Sequence, residues 1–214
     1  MKKFILFNLF LAGIVLIFLG GCAKKEKEKN MATTFLANKQ ALLIIAFNGY
    51  QEKEYEDTRN ILESNGVKII LASNLNGIAK GSLGGSVNVN LSISEVKANQ
   101  YDAIIFIGGP GAVVAFQENL EAHRLAQETI FQNKILGAIC ISPTILAKAG
   151  VLKNKKATVW SSFVNKSPIE ILKQNNAEYV NQDVVVDGKI ITANGPEAAK
   201  DFGKAIVELI QSNQ

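Results

Sequence analysis

Histidine, cysteine and tryptophan are scarce in this sequence of 214 residues, which holds one histidine, two cysteines and one tryptophan. The scarcity excludes a metal site built from several cysteines and histidines, and nothing else in the sequence predicts a cofactor. A Cys-His or Ser-His dyad would have to use His123, which lies within a predicted helix. That helix is far along the chain from the loops considered below. We therefore expect His123 to lie on the surface or to pack between helices.

A basic surface is also missing from the predicted folded part. The formal net charge is +4, from 23 basic and 19 acidic residues. Six of the lysines and two of the glutamates lie in the first thirty residues, which leaves seventeen basic and seventeen acidic residues for the remainder. The remainder is neutral, so the sequence predicts no nucleic-acid partner.

The N-terminal residues have the pattern of a bacterial lipoprotein signal. Lys2 and Lys3 precede an apolar stretch from Phe4 to Leu19, and two glycines then lead to Cys22. We predict a signal peptide over 1–21, a lipidated Cys22, a polar tether over 22–39 and a folded domain over 40–214. The alternative is an uncleaved membrane helix of about sixteen apolar residues, near the short limit for spanning. Both place the domain outside the cytoplasm, and the lipid on Cys22 would make the membrane a partner.

Lipidation of Cys22 would leave Cys140 as the only thiol, which excludes an intramolecular disulfide. Cys140 follows the apolar run 135–139 and precedes Pro143, a residue that suits the first turn of a helix. This places the thiol at the carboxyl end of a strand, beside the unpaired N–H groups of a helix, and their field favours a thiolate. The alternative is a small cysteine buried in the core.

Short apolar runs alternate with amphipathic segments, which indicates an α/β fold with a mostly parallel sheet. Residues 77–90 are predicted to form a hairpin or a small excursion. Residues 184–191 are predicted to form a hairpin with an Asp-Gly turn. Strands are predicted at 41–47, 67–72, 102–107 and 135–139. Helices are predicted at 54–65, 118–132, 143–149 and 197–212.

A glycine-rich turn, Gly108-Gly109-Pro110-Gly111, follows the predicted strand 102–107. Its backbone N–H groups would lie at the same sheet edge as Cys140, where they can stabilise an oxyanion or an oxidised sulfur. The alternatives are a plain tight turn and a dinucleotide loop. The dinucleotide loop is disfavoured because Val114 stands at the third glycine position and the turn does not follow the first strand.

An acidic cluster, residues 52–57, begins the helix after the first strand. Most of these charges are expected in solvent, since acids are favourable at a helix start. One of them can nevertheless point across the sheet edge to Cys140. An ionised carboxylate there would raise the thiol pKa, whereas a buried protonated carboxyl would donate a hydrogen bond to the thiolate.

Together these elements resemble the ThiJ/PfpI (DJ-one) superfamily, related to the class I glutamine amidotransferases. The resemblance spans nearly all of residues 40–212. It rests on five motifs: Glu52-x-Glu54-Tyr55, the segment 102–112, Ala138-Ile139-Cys140 with Pro143, the segment 147–152 and the segment 194–196.

The resemblance implies a flavodoxin-like three-layer sandwich with Cys140 on a strained nucleophile elbow. It also implies that Glu54 hydrogen-bonds the sulfur and that the N–H groups of Gly109 and Ile141 act as oxyanion-type donors. Homodimers are common in the family. Its activities include glyoxalase or deglycase action on reactive aldehydes, peptidase or chaperone action, and oxidative sensing through a cysteine sulfinate.

The sequence departs from the peptidase-like members, which carry histidine directly after the cysteine, because Ile141 stands there. Trp160 stands near the place where some deglycase-like members carry another histidine. These departures disfavour peptidase activity. The leading hypothesis is a lipid-anchored protein in which Cys140 and Glu54 act on small reactive aldehydes. The alternative is a redox sensor or binding protein that responds to peroxide through Cys140.

Overall fold

A sheet of seven strands is the centre of the fold in the computed structural model, which describes residues 36–212. The strands of the described chain are β1 (Gln40–Ile45), β2 (Asn48–Tyr50), β3 (Lys68–Ser73), β4 (Gly77–Gly81), β5 (Ser86–Val89), β6 (Leu91–Ser92), β7 (Ala103–Phe106), β8 (Ile135–Ile139), β9 (Lys156–Ala157), β10 (Glu178–Tyr179), β11 (Val184–Asp187) and β12 (Ile190–Ala193). The central sheet has the order β11-β12-β8-β7-β1-β3-β6, in which only β11 runs antiparallel to its neighbour. The prediction of an α/β fold with a mostly parallel sheet is confirmed.

Helices cover both faces of this sheet. They are α1 (Glu52–Ser64), α2 (Pro110–Phe116), α3 (Leu120–Phe131), α4 (Pro143–Lys148), α5 (Ser167–Gln174) and α6 (Ala199–Ser212). Apart from the half-buried Gln40, the central strands β1, β7 and β8 are apolar and buried throughout, because a parallel sheet is covered on both faces.

The side chains of the central strands divide between two apolar layers. Leu42 and Ile44 of β1 enter the layer that includes Phe116 of α2, whereas Leu43 and Ile45 enter the layer that includes Phe202 of α6. Successive side chains of a strand point to opposite faces, so one strand supplies both layers. The sheet is thereby fixed between helices, and the carboxyl ends of β1, β7 and β8 meet at one edge.

The structure also corrects several element boundaries. The helix predicted at 54–65 begins at Glu52, and the predicted helix 197–212 begins with a 3-10 turn, Pro196–Ala198, before α6. The glycine-rich turn is shorter than predicted because α2 already begins at Pro110. The short elements α5, β2, β9 and β10 were not predicted.

Both predicted hairpins form antiparallel pairs, β4 with β5 and β11 with β12. Leu36 lies within the predicted tether 22–39, yet its side chain is buried in the core. The predicted signal peptide and Cys22 lie outside the described residues. Within residues 36–212, no helix is both long and apolar enough to span a bilayer.

Candidate active site

Cys140 sits on a sharp turn at the carboxyl end of β8. Its φ is 63°, a left-handed conformation that a non-glycine residue seldom adopts. Its N–H donates to the carbonyl of Ala193 at 2.9 Å, and its own carbonyl accepts from the N–H of Trp160 at 2.8 Å. These two bonds hold the strained backbone, because such a conformation persists only where the surroundings fix it. The cysteine side chain stays partly exposed at the edge of the sheet.

Glu54 approaches this cysteine from the first turn of α1. The helix begins there because the Gln51 side chain caps it, accepting from the Glu54 N–H at 3.0 Å. The Glu54 carboxyl is fully buried, and its Oε2 accepts from the N–H of Gly108 at 3.0 Å. Its Oε1 has no hydrogen bond of ordinary geometry, although the carboxyl interacts with the Cys140 side chain. Glu54 is therefore the acid of the cluster 52–57 that reaches the thiol.

The glycine-rich turn brings the backbone close to both groups. A Cβ on Gly108 would lie 2.5 Å from the Cys140 Cβ and 2.6 Å from Oε2 of Glu54. Gly109 has a φ of 109° and packs against the backbone of Gly49 and Gln51. Only glycine permits this approach and this conformation.

Two backbone N–H groups complete the surroundings of the sulfur. The N–H groups of Gly109 and Ile141 hydrogen-bond to Cys140. The structure thus brings together Cys140, Glu54, Gly109 and Ile141, the four described residues that were predicted for the site. An acid, a thiol and two converging N–H groups can move a proton and stabilise a negative oxygen or sulfur.

The acid and the thiol are electrostatically coupled. Burial raises the pKa of Glu54 to about 7, against the opposing hydrogen bonds from Cys140 and Gly108. Burial also raises the pKa of the Cys140 thiol, and an ionised Glu54 raises it further, whereas the two backbone N–H groups lower it. The pair therefore loses one proton near neutral pH and holds the second strongly. The proton lost near neutral pH comes from Glu54, and the one held strongly is that of the Cys140 thiol.

This environment differs from the sequence-based expectation of a thiolate favoured by the field of a helix N-terminus. The helix does begin at Pro143 as predicted, but α4 has only six residues. Burial and the neighbouring carboxyl outweigh its field at the sulfur, since burial disfavours the charged form of an acid. At neutral pH the pair is therefore a thiol beside a partly ionised carboxyl.

His123 lies in α3, with its Nε2 2.9 Å from the carbonyl oxygen of Gln117. Sequence reasoning did not single out Gln51, whose side chain accepts from the Glu54 N–H, or Gly108, whose N–H donates to the Glu54 carboxyl. A glutamine directly before an acidic helix start is the signal that could have identified the cap. Among residues 36–212 there is no group of three or more His, Cys, Asp or Glu side chains that could hold a metal ion.

A parallel α/β sandwich with a cysteine on a left-handed turn and a buried acid beside it defines a class of nucleophile-elbow proteins. A family model described as the DJ-1/PfpI family matches residues 39–209, and the chain belongs to that family.

Individual relatives span most of the chain. A protein of Methanocaldococcus jannaschii is 37% identical over 88% of this chain and 88% of its own. A protein named as a deglycase in Thermococcus kodakarensis is 28% identical, over 79% of this chain and 99% of its own. A protein named as a glutathione-independent glyoxalase in Caenorhabditis elegans is 26% identical, over 82% of this chain and 90% of its own. The crystal structure of a ThiJ/PfpI domain protein from Brachyspira murdochii superimposes with a TM-score of 0.76 at 32% identity, covering 81% of this chain and 96% of that one.

Proposed function

We propose that this chain is a lipid-anchored, extracytoplasmic protein that converts small reactive aldehydes at Cys140, in the manner of a glyoxalase or deglycase. The observation that carries the proposal is the coupling of a partly exposed thiol to a buried carboxyl whose pKa is about 7. A pKa near the working pH is what general acid-base catalysis requires. The names of the Thermococcus and Caenorhabditis relatives point to the same class of substrate.

The reaction we propose for an α-oxoaldehyde begins with addition of the Cys140 sulfur to the aldehyde carbon. A carbon–sulfur bond forms, and the thiol proton passes through Glu54 to the carbonyl oxygen, which gives a hemithioacetal. The N–H groups of Gly109 and Ile141 stabilise the oxygen while it is negative.

Glu54 then moves the proton of the former aldehyde carbon to the neighbouring carbonyl carbon. The hydroxyl proton on the first carbon passes to the oxygen on the second, so the first carbon becomes a carbonyl and the second carries a hydroxyl. The first carbon is oxidised and the second reduced, so no external oxidant is needed. The product is a thioester of a 2-hydroxy acid. Water hydrolyses it, which releases the acid and restores the thiol.

Glu54 carries all the proton transfers in this proposal because Ile141 and Trp160 stand where related proteins would place histidines. Cys140 interacts with no other ionisable side chain in the described part of the chain. We infer that the protein lacks peptidase activity for the same reason. The lipid on Cys22, export from the cytoplasm and a homodimer are further parts of the proposal.

The direct test is lactate formation from methylglyoxal by the wild type and by Cys140→Ala. We expect lactate from the wild type and none above background from the variant. Glu56→Gln, which alters an exposed acid of the same helix, is the matched control and should retain the wild-type rate. Equal rates in wild type and Cys140→Ala would exclude the proposed enzyme.

A second candidate function is a redox sensor, favoured by the partial exposure of Cys140 beside an acid that can stabilise an oxidised sulfur. Peroxide would oxidise the thiol to a sulfinate, with two equivalents of peroxide reduced to water. Intact mass after mild peroxide treatment tests it. A gain of two oxygens in wild type, but not in Glu54→Ala, would support the sensor. A thiol that stays reduced, or that oxidises equally in both proteins, would exclude it.

A further inference from the structure

Glu52 is a second buried acid at the start of α1, two residues before Glu54. Its side chain binds the turn between β4 and β5. Oε1 accepts from the N–H of Leu83 at 2.7 Å and from the N–H of Gly85 at 3.0 Å, and Oε2 accepts from the Ser82 hydroxyl at 3.3 Å. Three donors from one turn thus converge on one carboxylate.

The turn is shaped to receive this side chain. A Cβ on Gly81 would overlap the Glu52 carboxylate, and a Cβ on Gly85 would lie 2.9 Å from the Glu52 Cγ. Real Cβ atoms essentially never come so close, so any larger residue would have to displace Glu52. The two glycines and the acid therefore form one unit.

The hairpin held in this way supports the segment 47–52. Lys80 donates its N–H to the carbonyl of Phe47, and Ser82 donates to that of Tyr50, each at 2.8 Å. On the opposite side, this segment packs on the glycine-rich turn. The Gln51 N–H donates to the Gly108 carbonyl at 3.0 Å.

The order from outside to inside is therefore hairpin, segment 47–52, glycine-rich turn and Cys140. The innermost layer supplies the Gly108 N–H to Glu54 and the Gly109 N–H to the sulfur. A shift of the hairpin would be transmitted to both bonds.

We propose that Glu52 is a positioning residue for the Cys140–Glu54 site. It fastens the hairpin turn to the first turn of α1, and so holds the glycine-rich turn and Glu54 at the distances that couple acid and thiol. The proposal rests on the reactive pair of the proposed function, but it does not depend on turnover of any aldehyde.

The test is the rate at which iodoacetamide alkylates Cys140, measured from about pH 5 to pH 10 on the full chain by mass spectrometry of the peptide that carries it. For Glu52→Ala we expect the pH midpoint to move down towards the ~8.5 of a free thiol, because the thiol is released from the carboxyl and the burial that raise its pKa. The rate at a given pH below the midpoint should rise about tenfold for each pH unit by which the midpoint falls. Glu52→Gln retains an acceptor oxygen for the two backbone N–H groups, so it should stay within about threefold of wild type. Glu56→Gln should match wild type.

Gly85→Ala tests the same contact from the hairpin side, because its Cβ displaces the acid without removing it. It should move the midpoint in the same direction as Glu52→Ala. The double variant that combines Glu52→Ala with Gly85→Ala should shift the midpoint no further than the more affected single variant, since both substitutions break the same interaction.

A merely structural role predicts a different result. If Glu52→Ala lowers the melting temperature but keeps the midpoint and rate of Glu56→Gln, the proposal is wrong. Should Glu52→Ala fail to fold, a wild-type midpoint in Gly85→Ala would overturn the proposal equally. Methylglyoxal turnover is not part of this readout, so failure of the proposed enzyme leaves the test intact.

Discussion

Two acids at the start of α1 show how differently one helix turn can treat the same chemical group. Glu52 and Glu54 are both buried. Burial acts to raise the pKa of Glu52, but its hydrogen bonds from the backbone and from Ser82 outweigh that effect and lower the pKa below the usual value. Glu54 has one ordinary hydrogen bond, from Gly108, and burial raises its pKa to about 7.

The difference teaches that the number of converging donors, rather than depth alone, decides whether a buried carboxyl is ionised. The pocket of Glu52 has enough donors to hold a permanent anion, which makes it suited to a structural bond. The pocket of Glu54 has too few, which leaves a group that gains and loses a proton near neutral pH. The first acid holds the framework, and the second is available for chemistry.

The largest contrast should appear in turnover. We expect Glu54→Gln to lower lactate formation from methylglyoxal about 10²–10⁴-fold, the usual contribution of a general acid-base group. Glu52→Gln, the matched change two residues away, should lower it less than tenfold, roughly, because an amide keeps an acceptor for the turn. Equal losses in the two variants would break the comparison.

The pH dependence of stability should be the next largest effect. The folded-state pKa of Glu54 is raised from 4.5 to about 7, so the folded protein binds this proton more tightly than the unfolded chain does. The resulting stability is fully present below the unfolded pKa and is lost as the pH rises through about 7. The loss amounts to about 3 kcal/mol.

Urea denaturation at pH values below and above this window measures the effect. The free energy of unfolding of wild type should fall across the window, and that of Glu54→Gln should fall much less. Parallel curves for the two proteins would show that Glu54 ionises normally in the folded state.

Gly108→Ala should perturb both acid and thiol by crowding them. The new Cβ would lie 2.8 Å from the carbonyl oxygen of Ile139 as well as close to Glu54 and Cys140. We expect a loss of about 2 kcal/mol of stability, typical of overpacking, together with slower alkylation of Cys140. Gly188→Ala is the control because its Cβ meets nothing within 4 Å, so only the positive φ should cost about 1 kcal/mol. Equal alkylation rates in both variants would contradict the close approach at Gly108.

The smallest expected effect concerns Glu52. Its contribution to stability depends on pH in the opposite direction to that of Glu54. Its pKa is lowered in the folded state, so its stabilisation is present above the ordinary carboxyl pKa and is lost as the pH falls through the lowered value. The stability difference between wild type and Glu52→Gln should therefore shrink on acidification, whereas the Glu54 effect grows. Urea titrations of both variants across the acidic range check this. A constant difference for Glu52→Gln would mean that its charge contributes nothing.

The elbow could be predicted from the sequence because its signals are local. An apolar run ends at Cys140 and a proline follows three residues later, which indicates a strand, a turn and a helix. The glycine-rich turn after β7 could be predicted from its local sequence as well. Both follow buried parallel strands, so their meeting at one sheet edge could be inferred.

The roles of the two acids could not be separated in the same way. The partners of Glu52 lie about thirty residues away in the turn 82–85, and no local sequence pattern indicates this contact. The sequence left the direction of the Cys140 pKa open for a related reason. A helix start is visible in sequence, but the burial of the thiol and its acid is a property of the packed layers.

The most direct test of the central claim is the pH profile of Cys140 alkylation in wild type and in Glu54→Gln. Because burial and the ionised Glu54 both raise the thiol pKa, the midpoint of the wild-type profile should lie well above the ~8.5 of a free thiol. The midpoint of Glu54→Gln should lie below that of wild type and closer to the ~8.5 of a free thiol, since burial and the backbone donors still act on the thiol but the carboxylate does not. Coincident profiles in the two proteins, with a common midpoint near ~8.5, would contradict the coupling of Cys140 to Glu54.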